Sequence, residues 1–166
     1  MGTRRSWVKG PWPRKLALAA RPRGGDWLED EVVDWRRSGV DAILSLLTPG
    51  EERDFGLEQE GPQAKAQAAE FTSFPIADRK VPRSEGERPN CWTGSTRSSR
   101  RGRTVIHCRQ GVGRSGLVAA CLPVARRLDS QTVVETVTKA RGVTDPETEE
   151  QRRWIDRYAA TLTSSK

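Results

Sequence analysis

His107-Cys108-Arg109-Gln110-Gly111-Val112-Gly113-Arg114-Ser115 sets a cysteine, two loop glycines, an arginine and a hydroxyl in one short segment. Thr104-Val105-Ile106 precedes it as a strand-like run, and Gly116-Leu117-Val118-Ala119-Ala120 follows with the apolar character of a helix's first turns. The order is strand, loop, helix. Cys108 falls where the strand ends, with five residues between it and Arg114. A loop of that size can curl its backbone N–H groups inward, and Gly111 and Gly113 permit the close approach and unusual dihedrals this needs. The helix starting near Ser115 adds its positive end. Such donors hold phosphoryl oxygens and also favour a thiolate, the nucleophilic form of cysteine. Arg109, Gln110, Gly111, Val112, Gly113 and Arg114 are the expected lining. Arg114 adds a planar bidentate grip that Lys cannot copy.

Around this segment, strands alternate with helices. Leu16–Ala20 reads as the first strand, closed by Arg21-Pro22-Arg23-Gly24-Gly25. Asp26 is the expected N-cap of a helix through Trp27, Leu28, Val32, Val33 and Trp35. Val40–Leu47 reads as a buried strand, stopped by Thr48-Pro49-Gly50. A helix from about Glu51, another around Gln63–Glu70 and an alternating strand over Phe71–Ile76 follow. Helices near 115–128, 131–141 and 147–161 complete the chain. This rhythm predicts an α/β fold, a single domain with a mostly parallel central sheet flanked by helices. The site then lies at the C-terminal end of the strand before Cys108. The expected organisation is a basic N-terminal segment, 1–15, and one domain over 16–162. Residues 83–103 break the rhythm, since Gly, Pro, Ser and Arg dominate there and no apolar period survives.

The 166 residues suffice for one domain with its own core. A mean hydropathy of −0.72 with 31% charged residues marks a modest core under a solvated surface. No apolar run approaches the roughly 20 residues of a membrane-spanning helix, so no membrane partner is expected. The net charge of +7 is concentrated in residues 1–25, which hold seven basic residues and no acid, while the remainder is formally neutral. This suits an anionic substrate. No aromatic-interleaved basic module accompanies it, so nucleic acid is not an expected partner. Met1–Ser6 fits a permissive myristoylation pattern and Arg4-Arg5 a twin-arginine one, but Gly10-Pro11-Trp12-Pro13 interrupts any apolar core of an export signal. Cys91, Cys108 and Cys121 do not make a disulfide framework, and the cytoplasm is the expected compartment. His107 is the only histidine, so Cys/His zinc spacing is absent; no metal or cofactor is expected.

The nonapeptide resembles the signature of the cysteine-based protein tyrosine phosphatases. With Gly25-Asp26-Trp27-Leu28, the chain looks most like their compact dual-specificity members, over about residues 12–160. The resemblance implies Cys108 as the nucleophile that forms a phosphocysteine and Arg114 as the phosphate grip. It implies Ser115 as the hydroxyl steadying the leaving thiolate and His107 as the buried residue ordering the loop. Asp78, in Phe74-Pro75-Ile76-Ala77-Asp78-Arg79-Lys80-Val81-Pro82, matches the mobile general acid and base. Water placement falls to Gln151 or to Gln110. The bland readings are Cys108 as a buried core cysteine, Asp78 as a turn residue before Pro82, and Gln151 as a helix-surface residue. Cys121 is expected in the core, and Cys91 is a candidate redox partner of Cys108.

Family members carry an amphipathic helix where residues 83–103 stand here, and a local frame disruption in the coding sequence is one explanation. The expected activity is metal-independent hydrolysis of phosphotyrosine, with phosphoserine and phosphothreonine as further substrates, on a phosphorylated protein partner. The alternatives are phosphoinositide or RNA 5′-phosphate hydrolysis, and a pseudophosphatase that binds phosphoprotein without turnover.

Overall fold

The structure is a computed structural model that describes residues 5–8, 15–78, 80–82, 103–110, 113–124, 129–142 and 148–164. Five strands form one sheet in the order β1-β2-β5-β3-β4. They are β1 (Arg5–Val8), β2 (Lys15–Ala20), β3 (Ala42–Ser45), β4 (Glu70–Ser73) and β5 (Arg103–Cys108). Every pairing is parallel except β1 with β2. The expected α/β sheet with helical layers is therefore present. Leu16–Ala20 is not the first strand, however: β1 precedes it and gives β2, otherwise an edge, a second hydrogen-bonded neighbour.

The strands are apolar on both sides because both sides are covered. Period-two alternation sends Leu16, Leu18, Leu44, Ile106 and Cys108 to one face, against Leu117, Cys121, Val133, Trp154 and Tyr158. It sends Ala17, Ala19, Ile43 and Val105 to the other, against Val32, Trp35 and Ala64. The first face is covered by α4 (Arg114–Val124), α5 (Ser130–Arg141) and α6 (Glu149–Ser164), the second by α1 (Leu28–Arg37) and α3 (Glu60–Ala66). Each fully buried Leu or Ile contributes about 1.5–3 kcal/mol. Cys121 is a core residue, as expected.

Local expectations shift at three places. Asp26 does not cap α1: it lies in a 3-10 turn, Gly25–Trp27, and the helix starts after Trp27 without a side-chain cap. The turn is forced by packing, because Gly25 N donates to Gly56 O at 3.0 Å. The helix expected at Gln63–Glu70 begins earlier and stops at Ala66, with Ala68 at φ +59. The strand expected over Phe71–Ile76 ends at Ser73, although Phe74 N and Ile76 N still donate to Ser45 O and Leu46 O. α2 (Pro49–Phe55) does start as expected, on a Thr48–Glu51 capping box.

Within 83–103, Arg103 opens β5, while residues 83–102, Cys91 among them, lie outside the described residues. No described helix is long and apolar enough to cross a membrane. Among the described residues no three His, Cys, Asp or Glu side chains converge as a metal set requires.

Candidate active site

β5 lies between β2 and β3 in register, pairing Cys108 with Ala20 and His107 with Ser45. Its last two side chains therefore emerge on opposite faces at the carboxyl edge of the sheet. His107 turns toward α1 and α3. It is fully buried, tilted against the Trp35 ring at 5.8 Å, and its Nε2 donates to Glu60 Oε1 at 2.6 Å. That bond fixes the imidazole behind the loop. Cys108 turns to the other face, buried, where its Sγ accepts a hydrogen bond from Ser115 Oγ at 3.1 Å.

Gly113 makes the return from loop to helix. Its φ of +73 is left-handed, which a side chain would strain, and its carbonyl accepts the Leu117 N–H at 2.8 Å to start α4. Arg114 is the first residue of α4, and its side chain is only 1% exposed. Glu51 takes both ends of the guanidinium, Nη1 donating to Oε2 at 2.8 Å and Nη2 to Oε1 at 2.9 Å. Nη1 also donates to Ile76 O at 2.8 Å. Of five guanidinium N–H groups, those bonds leave one on Nη2 and the one on Nε, an adjacent pair that matches two phosphoryl oxygens.

The charges reinforce this arrangement. Burial alone would lower the Arg114 pKa, but the Glu51 hydrogen bonds and the charges of Cys108, Glu51 and Asp78 raise it above its ordinary value. Burial likewise works to raise the Glu51 carboxyl, and the bonds from Arg114 and Thr48 outweigh it, leaving Glu51 below the usual carboxylate range. Glu51 and Arg114 are thus both ionised at neutral pH.

Asp78 reaches the same arginine, Oδ1 standing 3.3 Å from Nη2, and its side chain is 48% exposed. It therefore sits on the solvent side of the guanidinium. Gln151 holds the far end of this segment. Its Nε2 donates to Lys80 O at 3.1 Å, while its Oε1 and N complete a cap with Thr148 at the start of α6. It is fully buried, which overturns its reading as a helix-surface residue.

The structure thus brings together Cys108, Ser115, Arg114 and Asp78. Arg109 and Gln110 are exposed, with Arg109 beside the Phe55 ring. Gly111 and Val112, expected in the phosphate cradle, lie outside the described residues. Two partners escaped the sequence reading: the partly buried Glu51, which holds Arg114, and the buried Glu60, which holds His107. The Thr48-Pro49-Gly50-Glu51 capping signal after a strand end would have pointed to Glu51. Glu60 carried no local signal.

Known proteins share this architecture. The crystal structure of kinase associated phosphatase with a serine substituted for its catalytic-site cysteine has a TM-score of 0.84 at 20% identity, covering 100% of this chain and 99% of that one. PTPMT1 in complex with PI(5)P has a TM-score of 0.68 at 16% identity, with 90% and 92% covered. TpbA from P. aeruginosa in complex with pTyr has 0.57 at 16%, with 96% and 98% covered. At these identities the likeness is one of fold. No curated protein matches the chain. A family model, the Swiss Army Knife protein DSP-PTPase phosphatase domain, matches residues 5–161. That span starts with β1 and ends within α6, enclosing every residue of the Cys108 site, and the chain belongs to this phosphatase family.

Proposed function

We propose that the chain hydrolyses phosphate monoesters on protein, with phosphotyrosine as first substrate and phosphoserine and phosphothreonine open to the same chemistry. The Cys108 thiolate attacks phosphorus, the S–P bond forms, and the bond to the tyrosine oxygen breaks. Asp78, protonated, gives its proton to that oxygen. Water then attacks the phosphocysteine and Asp78 takes the water's proton. The S–P bond breaks, inorganic phosphate leaves, and the Ser115 hydroxyl stabilises the thiolate released. Arg114 grips the equatorial oxygens with its Nε–Nη2 edge, helped by the loop from Arg109 to Gly113. Gln151 acts as a positioning residue, holding the Asp78 segment through Lys80 O, and Gln110 remains the loop candidate for placing water. No step calls on a metal.

The observation that carries this reading is the joint placement of Ser115 Oγ on Cys108 Sγ and of Asp78 on Arg114, in a chain of this family. Rapid-quench trapping with an aryl phosphate is expected to find phosphoryl on Cys108, and Cys108→Ser to abolish both trapping and turnover. Undiminished turnover in Cys108→Ser refutes the mechanism. A panel of phosphotyrosine and phosphothreonine peptides, phosphoinositide vesicles and 5′-phosphorylated RNA settles the substrate class. Tight phosphopeptide binding with no phosphate release would establish a pseudophosphatase instead.

A further inference from the structure

Arg21 and Arg109 directly follow two paired residues, Ala20 at the end of β2 and Cys108 at the end of β5. They are neighbours at the mouth of the site, and Arg21 N donates to Arg109 O at 3.4 Å. Both guanidinium groups stand over one ring: the Cζ atoms lie 4.0 Å (Arg21) and 5.6 Å (Arg109) from the Phe55 centroid. The ring quadrupole attracts each cation by about 0.5–1 kcal/mol at an exposed position. It cannot neutralise them. Three other arginines meet acids, Arg23 with Glu31, Arg36 with Asp41 and Arg114 with Glu51. Among the described residues no carboxylate pairs with Arg21 or Arg109.

This pair of charges is built in. The segment after β2 is fastened on two sides. Arg23 donates to the buried Glu31 of α1 through Nε at 3.0 Å and Nη2 at 2.8 Å. Gly24 lies so close to the end of α2 that a Cβ on it would stand 1.8 Å from Phe55 O, and Gly25 N is bonded to Gly56 O. These contacts hold the backbone that follows Arg21 against the end of α2 that carries Phe55. Arg21 Nη1 donates to Pro22 O at 3.3 Å, which leaves its charge uncompensated. A cationic pair that no described carboxylate neutralises, carried on a fastened backbone, favours binding an anion because less ordering is left to do. Arg109 adjoins the nucleophile, so that anion lies about one or two residues from the scissile phosphate, at up to roughly 3.6 Å per extended residue.

We propose that Arg21 and Arg109, seated on Phe55, form an accessory anion site that selects phosphopeptides carrying a second negative group, carboxylate or phosphate, beside the phosphotyrosine. This rests on the phosphotyrosine reading above and names the substrate class within it. The test uses the full chain with Cys108→Ser for binding and the native enzyme for turnover. Three peptides of one length carry phosphotyrosine with neutral flanks, with a neighbouring Glu, or with a neighbouring phosphoserine. The two doubly anionic peptides are expected to bind about tenfold tighter than the neutral one, equivalent to about 1.4 kcal/mol, with the margin shrinking as salt rises. Arg21→Gln should reduce the margin to about twofold. Phe55→Leu, checked for folding by thermal melting, should reduce it in part, by releasing both guanidinium groups. Arg37→Gln, which removes an equal exposed charge from α1, should leave it intact.

Equal binding of the three peptides, with the neutral one still bound and turned over, overturns the accessory site and leaves the phosphotyrosine reading standing. An unchanged margin in Arg21→Gln does the same. Failure to bind or turn over any peptide overturns both. Phosphatidylinositol phosphate vesicles that outcompete the doubly anionic peptides show that the second anion belongs to a lipid headgroup, and also overturn the proposal.

Discussion

Glu51 grips Arg114 by both guanidinium ends, with hydrogen bonds of 2.8 and 2.9 Å, and so determines which edge of the arginine is left for another partner. Without that grip the guanidinium could rotate, and its charge would be buried with only the Ile76 and Leu46 carbonyls and Asp78 for company. Glu51→Gln keeps the shape and removes the charge and one acceptor. We expect a loss of about 1.5–3 kcal/mol in stability, read from urea unfolding, and at least a tenfold loss of kcat/KM with weaker inhibition by inorganic phosphate. A variant as stable and active as the native chain would leave Glu51 without the role assigned to it.

The same carboxylate sets an acid limit. Glu51 titrates below its ordinary value near 4.5, because the Arg114 and Thr48 bonds outweigh its burial. A depressed carboxyl contributes stability that is present above its unfolded pKa and lost as pH falls through its folded one. The stability gap between the native chain and Glu51→Gln should therefore be full near pH 6 and shrink below about pH 4.5. Glu52 moves the other way, raised first by burial and then by the charge of Glu60. Its ionisation costs stability, so Glu52→Gln should stabilise the chain at pH 7. A gap at Glu51 that stays constant to pH 3 would sink this account.

Glu51 and Glu60, the partners of Arg114 and His107, show what the sequence could and could not reveal. Cys108, Arg114 and Ser115 were legible because they share one loop, whose length and glycines determine their mutual placement. Glu51 and Glu60 come from segments 63 and 47 residues away from their partners. Only the strand order, with β3 beside β5, brings α2 and α3 to the carboxyl edge. Asp26 misled for a related reason: its capping chemistry is sound, but the contact between Gly25 and Gly56 overrides it with a tighter turn. β1 was hidden because four residues beside a basic run carry too little alternation to read as a strand. Gln151 looked like surface on a polar helix start, and only the approach of the Lys80 carbonyl explains its burial.

Asp78→Asn separates the two halves of the chemistry. If Asp78 protonates the leaving oxygen, the asparagine variant should lose about 10²–10⁴-fold with phenyl phosphate, whose leaving group needs the proton. It should lose far less with 4-nitrophenyl phosphate, which leaves readily as an anion. Equal losses on the two esters would point to a different acid.

Gln151 tests whether the Asp78 segment is held from α6. Its amide donates to Lys80 O, two residues beyond Asp78, and its carbonyl oxygen caps the helix through Thr148 N. Gln151→Ala removes both bonds and should cost about 0.5–2 kcal/mol from the cap, together with a larger kcat loss on phenyl than on 4-nitrophenyl phosphate. Gln151→Glu keeps an acceptor for Thr148 and loses the donor to Lys80 while ionised. Protonation returns an O–H that can donate to the Lys80 carbonyl. The kcat of the glutamate variant, relative to the native chain, should therefore recover as pH falls. A purely structural glutamine predicts lower stability with no leaving-group bias and no such recovery.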